Sequence, residues 1–273
     1  MRRGGIIDRR VLSGAARVPF IGGGGGGSAP APPFSPTDIA GCVAWFDMQD
    51  SGNYTDTAGF ITSINNKASA VAWEEATVPP AFSATAFNGL PCMDFDATQY
   101  IVSTEAAVAA ALNGDLAYTV FVAGQVDTAD ASLAFFGAGY SASLTARTRY
   151  FGNNVTGSGV WISASRNNAN GTVNAESSSG AADTNPHVLE WHTDGATTSI
   201  QEDGATADPD DAAQVTGASA PDRVGIGCRA ASTPNVLLNG RIGEILLYNT
   251  RLSAPNRALV RAYLGTKWGI TVA

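Results

Sequence analysis

GRIGEILLYN at residues 240–249 and YLGTKWGI at residues 263–270, joined through Leu252-Ser253, decide the fold of this chain. The first stretch is rich in β-branched and long apolar residues and predicts a long strand over Gly240–Tyr248. The second stretch combines apolar residues with a terminal glycine, as an amphipathic helix that packs against a sheet often does. A long strand followed directly by a covering helix indicates that this part of the chain completes a β-sheet.

The helix can be predicted closely from its ends. Ser253 is a good N-cap, Pro255 lies in the first turn, where its missing N–H costs nothing, and Gly269 can end the helix. We therefore expect a helix over Ser253–Trp268. The residues that repeat at helical spacing and should face the sheet are Leu259, Val260, Tyr263 and Leu264.

Upstream of this segment, short β-prone runs alternate with turns. Tyr118–Val126 is an unbroken β-prone run and predicts a central strand. Only Glu105–Leu112, which is rich in alanine, suggests a second helix, and charged residues make up 15% of the chain. The pattern predicts an all-β domain from Thr37 to Ala273. The other predicted strands are Val43–Asp47, Cys92–Phe95, Leu133–Phe136, Tyr150–Phe151, Val160–Ile162, His187–His192, Ile200–Asp203 and Arg223–Cys228.

The first 36 residues differ in composition from the rest. Residues 22–36 form a linker of six glycines followed by several prolines, which should be flexible and then extended. Residues 1–21 are then an extended arm too short to bury a core of its own, so we expect it to order by docking on another chain; the alternative is a disordered leader. A cleaved export signal is disfavoured, because glycines stand where an apolar run is required. The candidate anchoring residues are Ile6, Ile7, Arg9, Arg10, Val11, Leu12 and Phe20.

Charge and cysteine content exclude several functional classes. The first 17 residues hold five arginines and one acid, so the rest of the chain holds 11 basic and 23 acidic residues, a net charge of −12. Such a body repels phosphate backbones, which argues against nucleic acid as a partner. The chain contains no run of about 18 apolar residues, so the sequence predicts no membrane-spanning helix. Cys42, Cys92 and Cys228 are odd in number and widely spaced, so free, mostly buried thiols are expected.

Three passages carry a family resemblance. They are NGLP leading to MDFD at residues 88–96, HVLEW leading to IQEDG at residues 187–204, and the C-terminal segment quoted above. Together they resemble the concanavalin A-like lectin and glucanase superfamily, in its laminin-G-like branch, which occurs in bacterial surface proteins and phage virion proteins. The resemblance covers Thr37–Ala273 and implies a jelly-roll β-sandwich with a short C-terminal helix, preceded by the extended N-terminal arm.

The superfamily contains both catalysts and binders. Its glucanases carry three alternating acids, E-x-D-x-E, on one strand, and no such triplet occurs here. Glu190 and Asp194 share a face of one predicted strand but lie far apart, and no nucleophile motif accompanies His187 or His192. We therefore expect a protein that is not an enzyme.

Binding of a glycan would require an aromatic ring beside amides and charges. That mixture occurs in mid-chain, although the same residues could instead fill the core and turn the chain. The candidate carbohydrate-binding residues are Arg149, Tyr150, Asn153, Asn154, Trp161 and Arg166. Loop carboxylates also offer ligands for calcium, at Asp208, Asp210 and Asp211, although surface acids in turns are commoner than ligands. No other cofactor is indicated.

The sequence thus favours a structural protein on the surface of a phage or phage-like particle. The arm would dock on other virion proteins, and the outward, lectin-like domain of this fibre, spike or decoration component would attach to cell-surface polysaccharide of the host. The alternatives are a decoration or adaptor protein that binds no sugar, and a secreted protein that binds or hydrolyses polysaccharide. Homo-oligomers are common among such outward-facing domains, but no heptad repeat indicates one here.

Overall fold

A computed structural model describes residues 34–75, 77–129, 131–154, 159–167, 172–176, 182–205, 211–213 and 219–273. Of these, residues 154, 172–176 and 211–213 are described as backbone only. Within the described residues two antiparallel sheets face each other. The large sheet contains β1 (Cys42–Asp47), β2 (Tyr54–Thr57), β3 (Phe60–Asn66), β4 (Val71–Glu74), β5 (Ala81–Phe87), β6 (Leu90–Asp96), β8 (Tyr118–Val126), β13 (His187–Thr193), β14 (Thr197–Glu202), β15 (Asp211–Ala213) and β17 (Asn239–Tyr248). The small sheet contains β7 (Ile101–Ser103), β9 (Leu133–Gly139), β10 (Thr148–Asn154), β11 (Val160–Arg166), β12 (Thr172–Glu176) and β16 (Arg223–Ile226). The helices are a 3-10 turn at Pro36–Asp38, α1 (Ala106–Ala111) and α2 (Ala254–Trp268).

β17 organises the large sheet. Along one edge it pairs with β8, and along the other it pairs first with β6 and then with β1. The exchange occurs at Gly243, where the ladder with β8 also shifts register between Ile242 and Glu244. A ten-residue strand with two successive partners on one edge explains why the C-terminal sequence is so informative about the fold.

Aromatic side chains fill the space between the sheets. Phe151 of β10 lies 5.4 Å from Tyr118 of β8 and 5.7 Å from Trp191 of β13, measured between ring centroids. Phe136 of β9 stacks on Trp73 of β4. These rings are fully buried, so both sheets draw their stability from one apolar core.

α2 covers the outer face of the large sheet. The Ser253 side chain caps it by accepting from the Asn256 N–H, and Gly269 ends it with a left-handed φ of 66°. Val260 and Leu264 are fully buried as expected, whereas Leu259 is 52% exposed. The prediction for Leu259 was wrong because the buried face of this helix is narrower than its run of apolar residues.

A buried carboxylate joins α2 to β17. Glu244 Oε1 accepts from Trp45 Nε1 at 2.7 Å and from the Tyr263 hydroxyl at 2.9 Å. Its Oε2 accepts from Trp268 Nε1 at 2.8 Å and lies 2.7 Å from the ammonium of Lys267. Burial raises the pKa of Glu244, and these four donors offset part of that cost. The acid, tyrosine, lysine and tryptophan of the C-terminal segment are therefore one contact network.

The all-β prediction is confirmed, and so are the extent of β8 and the helical character of α1. The three cysteines are free: Cys92 and Cys228 are buried, and Cys42 is partly buried.

Candidate functional site

Residues of β10 and β11 alternate between the two faces of the small sheet. In the ladder, Tyr150 lies opposite Ala164, and Thr148 lies opposite Arg166. These positions point away from the core, because Phe151, the residue next to Tyr150, packs into it. Tyr150 and Arg166 are both half-buried and lie diagonally across from each other on the outer face.

Arg229 joins them from the segment that follows β16. Its guanidinium carbon lies 5.9 Å from the centroid of the Tyr150 ring, and its Nε donates to the side-chain oxygen of Asn235 at 2.6 Å. The backbone of this segment passes directly over β9. A Cβ at Gly137 would lie 2.7 Å from the Cys228 carbonyl oxygen, so only glycine permits the approach.

A second arginine and tyrosine lie at the end of the small sheet where β9 finishes and β10 begins. The guanidinium of Arg147 lies 4.2 Å from the centroid of the Tyr140 ring. The Arg147 N–H donates to the carbonyl of Asn167, and the Ser232 N–H donates to the carbonyl of Ser143. These bonds place the turn before β10 beside both the end of β11 and the Arg229 segment. We call Tyr140, Arg147, Tyr150, Arg166 and Arg229 the Tyr150 patch.

The patch is rich in donors. Burial and the charge of Arg166 lower the pKa of Arg229, while burial raises the pKa of the Tyr150 hydroxyl. That hydroxyl has no hydrogen-bond partner among the residues that the structure describes. Asp222, an exposed acid at the same end of the sheet, accepts from the Ser141 N–H at 2.7 Å. The Tyr150 patch therefore suits a ligand with an apolar face that packs on the Tyr150 ring and with oxygens that accept hydrogen bonds from the arginines.

Three of the predicted carbohydrate ligands face the interior instead. Arg149, Asn153 and Trp161 are at most 3% exposed. Arg149 donates to the Gly114 carbonyl at 2.9 Å, Asn153 to the Ala129 carbonyl at 2.7 Å and Trp161 Nε1 to Glu202 at 2.6 Å. As surface ligands these three predictions were wrong, because each occupies an inward position on its strand.

Other predicted site residues lie outside the described part of the chain. They are the arm residues Ile6, Ile7, Arg9, Arg10, Val11, Leu12 and Phe20, together with Asp208 and Asp210. Asp211 begins β15, and Asn154 ends β10; only their backbone is described.

One group among the described residues has the composition of a metal site, namely His187, Glu202 and Asp203. Its geometry favours a protonated histidine instead. Nδ1 of His187 lies 2.7 Å from Asp203 Oδ2, and Nε2 lies 2.8 Å from Asp183 Oδ1. With a carboxylate at each ring nitrogen, both nitrogens must donate, and no lone pair remains for a metal.

The acid pair that the sequence singled out does not form a cleft. Glu190 is fully buried beneath α2, where it pairs with Arg257 at 2.7 Å and with Arg261. Asp194 is exposed and accepts from the backbone N–H groups of Ala196 and Thr197. The two acids therefore act locally, one in helix packing and one in a turn.

Among the described residues, no helix is long and apolar enough to cross a bilayer.

The sequence contains only weak signals for the residues of the Tyr150 patch that the prediction missed. Arg229 meets Tyr150 only through the pairing of β9 with both β10 and β16, and neither Arg147 nor Tyr140 belongs to a motif.

Comparison with known proteins relates the chain to solved structures alone. No family model and no curated protein matches it. The CBM40 domain of the Ruminococcus gnavus IT-sialidase, bound to α2,3 sialyllactose, matches with 13% identity and a TM-score of 0.50, over 62% of this chain and 95% of that domain. A leech intramolecular trans-sialidase matches with 15% identity and a TM-score of 0.48, over 67% of this chain and 27% of the enzyme. The Trypanosoma rangeli sialidase matches with 14% identity and a TM-score of 0.47, over 84% of this chain and 33% of the enzyme. At such identities the CBM40 likeness establishes the fold: this chain contains a β-sandwich of the jelly-roll, lectin-like type.

Proposed function

We propose that this protein is a non-catalytic, glycan-binding component of the surface of a virion or similar particle. Its laminin-G-like sandwich would bind cell-surface polysaccharide outside the cell, and its N-terminal arm would dock on other particle proteins. The observation that carries the binding role is Tyr150, held half-buried on the outer face of the small sheet between Arg166 and Arg229.

The chemistry of the patch fits a sugar. The C–H face of a pyranose packs on an aromatic ring, and its hydroxyls accept hydrogen bonds from arginine and tyrosine donors. Tyr150 supplies a ring and a hydroxyl, and Arg229 supplies terminal nitrogens that make no hydrogen bond within the described residues. The CBM40 domain, which shares the fold, is itself bound to a sialylated sugar, and this supports the proposal.

The placement of the buried acids supports binding rather than hydrolysis. Glu190 and Glu244, the fully buried glutamates of the large sheet, lie on its outer face beneath α2. Glu190 is paired with Arg257 and Arg261, and Glu244 is held by lysine, tyrosine and tryptophan donors. The Tyr150 patch lies on the other sheet, so these acids are not placed to attack a sugar bound there.

Glycan-array binding of the full chain tests the proposal. We expect Tyr150→Ala to weaken binding of the recognised glycan by about tenfold, because the stacked ring is lost. Phe60→Ala is the matched control: Phe60 is 43% exposed but belongs to the large sheet, so this variant should bind as the native chain does. If the native chain binds no glycan on the array, the protein is instead a decoration or adaptor protein without a sugar ligand.

A further inference from the structure

We infer that the Tyr150 patch selects glycans whose sugars carry a negative charge, as a carboxylate or a sulfate group. This inference deepens the proposed function and rests on it. It names the ligand class that the patch would distinguish from a neutral polysaccharide.

The first argument is the contrast between the patch and the rest of the molecule. Beyond the first 17 residues the chain has a net charge of −12. Among the described residues, three arginines, against the one acid Asp222, nevertheless lie at one end of the small sheet. A cationic surface on an anionic body concentrates the field where an anionic ligand would enter.

The second argument concerns how arginines are partnered elsewhere. In β17, α2 and the segment that joins them, Arg241 lies 2.6 Å from Asp127, Arg251 lies 3.1 Å from Asp194, and Arg257 lies 2.7 Å from Glu190. Arg229 differs. Its Nε is held by a neutral amide, and no carboxylate among the described residues lies within ion-pair distance of it. Its charge is therefore not compensated by any acid that the structure describes.

The third argument is the proximity of like charges. Arg166 lies diagonally across the ladder from Tyr150, and the Arg229 guanidinium lies 5.9 Å from the centroid of the same ring, so two positive charges flank one side chain. Burial and, after it, the charge of Arg166 lower the pKa of Arg229. An anion bound between them would relieve this repulsion. A guanidinium presents paired, coplanar N–H groups that match the oxygens of a carboxylate or a sulfate.

The ring of Tyr150 favours an acidic sugar over an acidic peptide. A pyranose that carries the anion can place its C–H face against the ring while the charged group reaches Arg229. An extended acidic peptide would have to cross the anionic body on either side of the patch. We therefore assign the patch to a glycan, with an acidic peptide as a competing outcome of the test.

Matched ligands test the inference with the full chain. The probes are sialyllactose and its carboxyl-reduced form, a sulfated galactan oligosaccharide and its desulfated form, and poly-glutamate. We expect the native chain to bind at least one acidic sugar about tenfold or more tightly than its neutral counterpart, with affinity falling as salt rises. Whichever pair shows the difference identifies the anionic group.

Variants then locate the effect. Arg229→Gln and Arg166→Gln should each lower affinity for the acidic form much more than affinity for the neutral form, so that most of the preference for the acidic form is lost, and Arg229→Lys should restore part of it. Arg251→Gln removes a cation from the segment between β17 and α2, away from the Tyr150 patch, and should leave the preference for the acidic form unchanged. Unchanged thermal unfolding establishes that each variant is folded.

Each remaining outcome is decisive. Equal binding of acidic and neutral sugars overturns the inference but leaves the proposed function standing. Tight binding of poly-glutamate with no sugar bound overturns both. Preference for acidic sugars that survives both glutamine variants places the site elsewhere and also overturns the inference.

Discussion

His187 shows how a single residue couples stability to pH. Burial alone would lower its pKa, but the hydrogen bonds that its ring donates to Asp203 and Asp183 and the charge of Glu202 raise the pKa to about 9. The raised pKa means that the folded chain holds a proton which the unfolded chain releases near pH 6.5. This contribution is full below about pH 6.5 and is lost as pH rises through about 9. We expect the native chain to lose about 1–3 kcal/mol of unfolding free energy over that interval.

Urea denaturation between pH 6 and pH 10 measures this contribution when the native chain is compared with His187→Gln. Other groups titrate in the same range, so the quantity of interest is the difference between the two chains. That difference should shrink as pH rises. Parallel pH profiles would contradict the assignment of a charged His187.

At the level of single residues, the sequence predicted two of the five residues of the Tyr150 patch. Tyr150 and Arg166 were found because aromatic and cationic residues cluster between residues 149 and 170. Arg149 and Trp161 were included wrongly, because composition alone does not say which neighbour in a strand faces the core. A shift of one residue in the alternation reverses the choice. Arg229 was missed because its contact with Tyr150 spans the fold and depends on strand pairing rather than on local sequence.

At the level of secondary-structure elements, β17 and α2 pack so closely at Gly243 that no side chain fits there. A Cβ there would lie 2.8 Å from Cε3 of Trp268, whose ring also packs edge-on against Phe87 at 5.5 Å. We expect Gly243→Ala to push the last turn of α2 away from the sheet and to lower the unfolding free energy by about 1–3 kcal/mol. Chemical denaturation followed by tryptophan fluorescence measures the change.

Gly52→Ala provides the control for this substitution. A Cβ at Gly52 would meet only a side-chain oxygen of Asp50, at an ordinary 3.4 Å. The control should unfold as the native chain does. If Gly243→Ala does the same, the packing of Trp268 on β17 is not a constraint on the fold.

The elements that the sequence predicted well share one property: their own residues specify them. β8 is a continuous apolar run, and α2 has a cap at one end and a glycine at the other. The strands missed between Tyr54 and Phe87 are different. β2 reads YTDT and is largely exposed, so its strand conformation comes from pairing with β3 and not from an apolar pattern.

At the scale of the whole molecule, the chain combines a basic N-terminal stretch with an acidic remainder. In the proposed function, residues 1–21 anchor the protein and the sandwich binds the glycan. Residues 34–273 contain a core of their own that runs from β1 to α2. Folding and anchoring should therefore be separable.

Deleting residues 2–21 tests that separation. We expect the truncated chain to unfold at the same denaturant concentration as the full chain and to bind the same glycan, because the core and the Tyr150 patch both lie beyond the deletion. Incorporation into the particle should be lost, as measured by quantitative mass spectrometry of particles produced with the truncated chain. A variant that shortens the six glycines of residues 22–27 to three keeps the arm and should still be incorporated. Normal incorporation of the truncated chain would show that the sandwich itself makes the contact with the particle, and anchoring would then have to be sought on the sandwich surface.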